Sequence, residues 1–129
     1  AIDQQFRRSV FNILIRNQDD HVKNIAFLMD RAGDWRLSPA FDVAYAYNPS
    51  GPWTGAHQMS LSGKRDDFEL EDLVVFGGFC GLKRRKCLSI IEEIAQGVRQ
   101  WRTYAQSAGV ADADIDRINA ALRLDLTPP

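Results

Sequence analysis

A short polar stretch, Asn-Gln-Asp-Asp-His-Val-Lys-Asn at positions 17–24, constrains this chain more than any other feature of its sequence. It follows a helical pattern directly and precedes an apolar run at 25–29. Burying such a cluster costs desolvation free energy, so a compact domain seldom keeps one without a use. Catalytic groups are commonly placed on a polar loop held between two rigid elements. The stretch therefore predicts a functional loop.

The apolar residues around this loop predict a mostly helical domain. Before the loop they recur at steps of three and four residues, which predicts a helix that ends near residues 16–17. A short helix is expected at 69–79 and a long one at about 83–107. Either Asp112 or Asp114 is expected to cap a last helix, because aspartate is a favoured N-cap residue.

The β content is predicted to be small and to lie next to the polar loop. The run at 25–29 has the composition of a buried strand, and Trp35 to Leu37 would form the returning strand. Gly33 supplies the positive φ that the intervening turn needs. Residues 58–62 alternate polar and apolar side chains and predict another short strand. The expected fold class is mainly α with small β-hairpins (α+β), in one domain over 1–129.

Composition excludes several classes of protein. Of the 129 residues 45% are hydrophobic and 26% are charged, and the net charge of −1 lacks the strong positive field of a nucleic-acid binder. No apolar run is long enough to cross a bilayer, and the N-terminus lacks the pattern of a signal peptide. Cys80 and Cys87 lack metal-site spacing and are expected to stay reduced in the cytoplasm. Because the chain starts inside a helical pattern without an initiator Met, we expect a fragment of a longer protein.

Asp19 and Asn24 have the spacing Asp-x-x-x-x-Asn, which is the inner spacing of a protein-kinase catalytic loop. In that loop the carboxylate accepts the proton of the attacking hydroxyl, and the amide oxygen binds the metal on the phosphates. Asp42 follows just past the expected hairpin, where a kinase places its second metal ligand. The alternative is that Asp19 and Asp20 are ordinary turn residues, since aspartate favours turns.

Three segments resemble a known family: Phe-Asn-Ile-Leu-Ile-x-Asn-x-Asp-x-His-x-Lys-Asn at 11–24, Leu-Ser-Pro-Ala-Phe-Asp-Val at 37–43, and Met-Ser-Leu-Ser-Gly-Lys at 59–64. They resemble the C-terminal kinase lobe of HipA-type proteins. Those proteins are bacterial serine/threonine kinases and the toxin partners of toxin–antitoxin pairs. The specific part of the resemblance covers residues 11 to 64, whereas the helical tail is generic by sequence.

The resemblance implies the C-terminal lobe of a protein-kinase-like fold that uses ATP and Mg²⁺. Carried over by position, it implies that Asp19 is the catalytic base and that Asn24 and Asp42 bind Mg²⁺. His21 and Lys23 would lie against the nucleotide phosphates or support the loop. The implied partners are a protein substrate and an antitoxin-type DNA-binding protein, with neither direct nucleic-acid binding nor membrane association.

Each of these assignments has a structural alternative. His21 would otherwise be bonded to a backbone carbonyl, and Lys23 would simply be exposed. Asp20 lacks the five-residue relation to Asn24 and is expected to be solvated or to order the loop as a hydrogen-bond acceptor. A transition-metal site made by His21 and His57 lacks a third nearby soft ligand.

The sequence also departs from an ordinary kinase. Asp42 is followed by Val43-Ala44 rather than Phe-Gly, and no Gly-x-Gly-x-x-Gly occurs to cover phosphates. We therefore expect the chain alone to bind ATP weakly and not to catalyse. The competing hypothesis is a non-catalytic interaction lobe that holds an antitoxin-type DNA-binding partner.

The remaining conspicuous residues have mainly structural interpretations. The basic run at 83–86 predicts a solvated first helical turn. Trp53, in a Gly/Pro-rich loop, is either an exposed partner anchor or packed back on the domain. His57 in the same loop is expected to be structural or solvent-facing, and Trp101 and Tyr104 are expected in the core.

Overall fold

Three helices build the hydrophobic core: α1 (Ile2–Leu14), α2 (Leu70–Phe79) and α3 (Arg84–Val98). The computed structural model describes all 129 residues. Each of the three helices packs against the other two. The helical spacing of the apolar side chains before the loop is the reason that α1 turns one stripe inward. Its buried residues are Phe6, Val10, Ile13 and Leu14.

Helix α1 starts where the apolar spacing predicts but ends earlier than expected. The helix ends at Leu14 rather than near residues 16–17. Arg16 adopts a positive φ of 56°, which turns the chain out of the helix before the polar loop begins. At the other end of the core, the basic run at 83–86 forms an exposed first turn of α3, as predicted.

The predicted long helix at 83–107 is wrong, because the structure divides it into α3 and α4 (Trp101–Ser107). The break lets α4 pack against α5 (Asp112–Ala121) instead of continuing along the core. It also changes which side of the helix is buried. Ala105 is buried, whereas Tyr104 is 60% exposed and Trp101 only partly buried, so Tyr104 is not the core residue that the spacing predicted.

Helix α5 begins without a side-chain cap. Its N-cap residue is Ala111, so neither Asp112 nor Asp114 caps the helix as predicted. Both aspartates lie instead in the first turn, where a negative charge still favours the positive end of the helix dipole. After α5 the chain ends in a short 3-10 turn, Leu124–Leu126, whose last residue is buried in the core.

The two strands, β1 (Phe27–Met29) and β2 (Trp35–Leu37), form one antiparallel hairpin. Gly33 has a φ of 91°, which confirms the predicted turn. The expected burial of the first strand is wrong: Phe27, Met29 and Trp35 are 55%, 57% and 67% exposed. A hairpin of this size has no second layer within this chain to cover its faces.

The second expected strand, at 58–62, does not form. The backbone N–H groups of Gln58 and Met59 donate to the Asp20 carboxylate instead of to a neighbouring strand. Leu61 pairs only with Lys64 across a tight turn. The chain is therefore mostly helical with a single hairpin, which confirms the α+β class. None of its helices combines the length and the apolar character needed to span a membrane.

Candidate functional site

The polar loop starts from a buried anchor at the end of α1. Asn17 and Gln18 are 4% and 0% exposed, although both are polar. The Asn17 side-chain N–H donates to Asn12 Oδ1 at 3.0 Å, and the Gln18 backbone N–H donates to the Ala46 carbonyl at 3.1 Å. The first bond fixes the loop to α1, and the second fixes it to the segment that follows Asp42.

A short 3-10 turn, Val22–Asn24, forms the second half of the loop. The backbone N–H of His21 and the side-chain N–H of Asn24 both donate to the Asp19 carbonyl, at 3.0 and 3.3 Å. Because the Asn24 nitrogen is engaged with the loop, its side-chain oxygen is left free to act as a ligand. The five-residue spacing of Asp19 and Asn24 thus has a direct structural counterpart.

Asp20 is held by the chain segment around His57. Its Oδ1 accepts backbone hydrogen bonds from Gln58 at 2.9 Å and from Met59 at 3.4 Å. Its Oδ2 lies 2.9 Å from His57 Nδ1. The expectation that Asp20 orders the loop as an acceptor is confirmed.

His57 connects Asp20 to the C-terminal end of the chain. The ring is 0% exposed, and its Nε2 lies 2.9 Å from Arg123 Nη1. A guanidinium has donors only, so Nε2 must accept and Nδ1–H must donate to Asp20. With both ring nitrogens bound, His57 is structural, and this contradicts a His21–His57 metal site.

Arg123, which is 6% exposed, ends this buried network, which we call the Asp20–His57–Arg123 network. It donates to Ile13 O at 3.0 Å, to Gln18 Oε1 at 3.2 Å and to Asp66 Oδ1 at 2.6 Å. Burial lowers the pKa of the Arg123 guanidinium, and the nearby Arg16 cation adds to this, while Asp66 opposes it.

The Asp66 carboxyl has a pKa below its ordinary value. Burial raises this pKa, but hydrogen bonds from the Asp67 backbone and from Arg123 lower it by more. Asp66 is therefore a charged partner that compensates the buried Arg123 at the end of the network.

A cleft of about 380 Å³ lies beside the loop, between α1, the segment around Asp42 and the segment that follows His57. His21, Asn24 and Asp42 line it together, and Asp20 contributes to its wall. Of the other predicted site residues, Asp19 and Lys23 are exposed and do not line the cleft. Three of the five site residues predicted from the sequence thus line this one cleft.

Asp42 and His21 both have polar atoms without partners in this cleft. Asp42 is exposed and has a φ of 53°, an uncommon conformation for a residue other than glycine, and its carboxylate has no hydrogen bond or ion pair within the chain. His21 Nδ1 is buried and has no hydrogen-bond partner. The alternative in which this atom bonds a backbone carbonyl is therefore wrong.

The donor set suits a magnesium ion rather than a transition metal. No group of three or more His, Cys, Asp or Glu side chains lies together in the chain. Magnesium prefers oxygen and keeps several waters, so one or two protein oxygens beside a phosphate are sufficient. Asn24 and Asp42, which line the same cleft, are oxygen ligands of the type that magnesium prefers.

The comparisons with known proteins identify the family of this chain. Residues 1–102 match the HipA-like C-terminal domain. The chain belongs to this family. No curated protein matches it. The HipA-like match covers α1, the loop, the hairpin, α2 and α3, but it ends before Arg123 of the buried network.

Sequence reasoning missed three residues of the buried network and the cleft: Gln18, Arg123 and Arg8, an α1 residue that lines the cleft. The sequence around Arg123 does not predict that this residue is buried, because its hydrogen-bond partners lie far away along the chain. For Arg8 the only signal was its position off the apolar stripe of α1, which is also where a solvated arginine would lie.

Proposed function

We propose that this HipA-like domain is the C-terminal catalytic lobe of a serine/threonine kinase that transfers the γ-phosphate of ATP to a protein hydroxyl. In this proposal the intact protein is the toxin of a toxin–antitoxin pair. The observation on which it depends is that Asn24 and Asp42 line one cleft, although the hairpin separates them in sequence. Two neutral or anionic oxygens at one place are what a magnesium-bound triphosphate requires.

Asp19 would act as the base that accepts the proton of the substrate hydroxyl. Its carboxylate is exposed and has no hydrogen-bond donor within the chain, so it is free to accept one from a substrate. The bonds that His21 and Asn24 make to its backbone carbonyl fix the position of the residue without occupying the carboxylate. This supports a role for the loop in positioning rather than in covalent catalysis.

Asn24 and Asp42 would hold the magnesium ion, which neutralises phosphate charge when it is bound. Asn24 contributes its side-chain oxygen because its nitrogen is engaged with Asp19. Asp42 contributes an exposed carboxylate that forms no ion pair within the chain. Lys23 is exposed beside the loop and would reach the nucleotide only from outside the cleft. The free thiols Cys80 and Cys87 support a cytoplasmic location for the protein.

The test of the metal assignment is Mg²⁺–ATP binding by the 129-residue chain, measured by calorimetry or by NMR titration. Asp42→Asn should weaken binding by about tenfold or more, because it removes a charge-assisted ligand. Asp34→Asn is the matched control, since it makes the same change of charge in the exposed hairpin turn. Equal affinities for the two variants would remove Asp42 from the site.

The catalytic assignment needs a separate measurement of phosphoryl transfer. We expect the 129-residue chain alone to bind ATP weakly and to be inactive, and the protein that includes a nucleotide-covering lobe to be active. In that protein, Asp19→Asn and Asp42→Asn should abolish transfer while the fold is retained. Wild-type turnover in Asp19→Asn would exclude Asp19 as the base.

A second candidate function is a non-catalytic interaction lobe that binds an antitoxin-type DNA-binding protein. The exposed apolar side chains of the hairpin, among them Phe27, Met29 and Trp35, favour it, because a surface patch of this kind is commonly a binding surface. Mg²⁺–ATP binding in the intact protein separates the two candidates. An interaction lobe without catalysis would bind the partner and leave Mg²⁺–ATP unbound.

A further inference from the structure

The unsatisfied buried polar atoms of this chain are concentrated in one place. Four buried side-chain nitrogen or oxygen atoms have no hydrogen-bond partner. Three of the four, Gln5 Oε1, Arg8 Nε and His21 Nδ1, belong to residues that line the cleft with Asn24 and Asp42. Buried polar groups in folded proteins are nearly always paired, so three orphans at one cleft indicate a polar binding site.

Arg8 is the charged member of this group, and it is not neutralised within the chain. Its Nη2 donates to the Ser38 carbonyl at 2.5 Å, which is its one hydrogen bond. The neighbouring Arg7 lines the same cleft but is paired with two carboxylates: Nε lies 3.2 Å from Asp3 Oδ1, and Nη1 lies 2.9 Å from Glu93 Oε2. Two arginines of one helix thus differ in whether a carboxylate of the chain pairs with them.

We propose that Arg8 binds an oxyanion, a phosphate or carboxylate group, at the α1 wall of the cleft, beside His21, for which the family resemblance already implies a phosphate contact. The Ser38 carbonyl fixes the plane of the guanidinium through Nη2 and leaves Nε–H as a charged donor without an acceptor. His21 Nδ1 supplies a second donor when it carries the proton. Gln5 Oε1 can accept from a hydroxyl or N–H next to the oxyanion.

The proposed oxyanion site lines the same cleft as the two proposed magnesium ligands but has the opposite charge. Asn24 and Asp42 would attract a cation, whereas Arg8 carries an unpaired positive charge in the same cleft. The cleft therefore presents both signs of charge to a ligand. The inference rests on the proposed function only for the source of the oxyanion, which is either a nucleotide phosphate or an acidic group of the protein substrate.

A purely structural role for Arg8 predicts something different. Holding the chain at Ser38 needs only Nη2, so the environment of Nε–H would not respond to added oxyanions. The direct observation is the ¹⁵Nε–¹Hε resonance of Arg8 in the 129-residue chain during titration with inorganic pyrophosphate in the presence of EDTA. We expect this resonance to shift with saturation.

The matched variants are Arg8→Lys and Arg7→Gln. Arg8→Lys keeps the charge and a donor for Ser38 but removes Nε–H, and it should weaken pyrophosphate binding by about tenfold. Arg7→Gln should leave binding within about twofold, because the charge of Arg7 is already paired with the carboxylates of Asp3 and Glu93. An unmoved Arg8 resonance, or equal affinities for the two variants, overturns the proposal.

Competition identifies the source of the oxyanion. Displacement of pyrophosphate by metal-free ADP assigns the site to a nucleotide, and displacement by a serine peptide flanked by glutamates assigns it to the protein substrate. Displacement by neither overturns the placement of a ligand oxyanion in this cleft. Because no magnesium is present, this result is independent of the Asp42→Asn test, and either one can fail while the other holds.

Discussion

Replacing Arg123 with methionine removes the C-terminal end of the Asp20–His57–Arg123 network. Arg123 is 6% exposed, and breaking a fully buried ion pair costs about 3–5 kcal/mol. The Asp66 side chain is 44% exposed and can be solvated again, so we count the loss of the pair itself at only about 1 kcal/mol, as for a solvent-exposed pair. The substitution also leaves His57 Nε2 buried without a partner, which costs about 1–3 kcal/mol.

The expected loss of unfolding free energy for Arg123→Met is therefore about 2–4 kcal/mol, measured by urea denaturation. Arg102→Met is the control, because Arg102 and Asp116 form an ion pair whose side chains are 47% and 66% exposed. Such a pair is worth at most about 1 kcal/mol. If both variants lose the same free energy, the network does not stabilise the fold in the way argued. Amide exchange at Gln58, whose N–H donates to Asp20, should accelerate only in Arg123→Met.

Two further predictions concern the core and its response to pH. Gly77→Ala should destabilise the chain by about 1–3 kcal/mol, because a Cβ would overlap Cys87 Sγ and lie 3.1 Å from Phe6 Cε2. Gly78→Ala has open space and should instead stabilise the helix by about 0.5–1 kcal/mol, so equal urea midpoints would contradict this packing. The pKa of Asp66 is lowered in the folded state, so its contribution is complete above the unfolded pKa near about 4 and is lost as pH falls through the folded pKa. Urea denaturation at decreasing pH should show this loss, and Asp66→Asn should reduce it.

The features that sequence reasoning recovered are local ones. The apolar spacing of α1 gave its buried face, and the turn that contains Gly33 was predicted from the glycine itself. The spacing of Asp19 and Asn24 predicted a loop in which the Asn24 side-chain N–H donates to the Asp19 carbonyl across that same spacing. In each case the cause and the consequence lie within a few residues of each other.

The features that it missed depend on contacts between distant segments. The long helix was predicted across residues 99–100 because the apolar steps continue there, and only the packing of α4 on α5 explains the break. The exposure of Phe27 could not be predicted from the sequence of its strand. A strand is buried only if another part of the protein covers it, and no local sequence pattern specifies that contact. His57 and Arg123 are sixty-six positions apart, so nothing in either neighbourhood predicts their contact.

The two adjacent aspartates of the loop show how the structure separates roles that composition leaves equal. Asp20 is bound through both oxygens, to Gln58 and Met59 on one side and to His57 on the other. A carboxylate that is fixed in this way cannot leave its donors without breaking the buried network. Asp19 is held only through its backbone carbonyl, and its exposed carboxylate has no donor to give up. The network therefore fixes the loop at Asp20 and leaves the carboxylate of the preceding Asp19 without a partner in the chain.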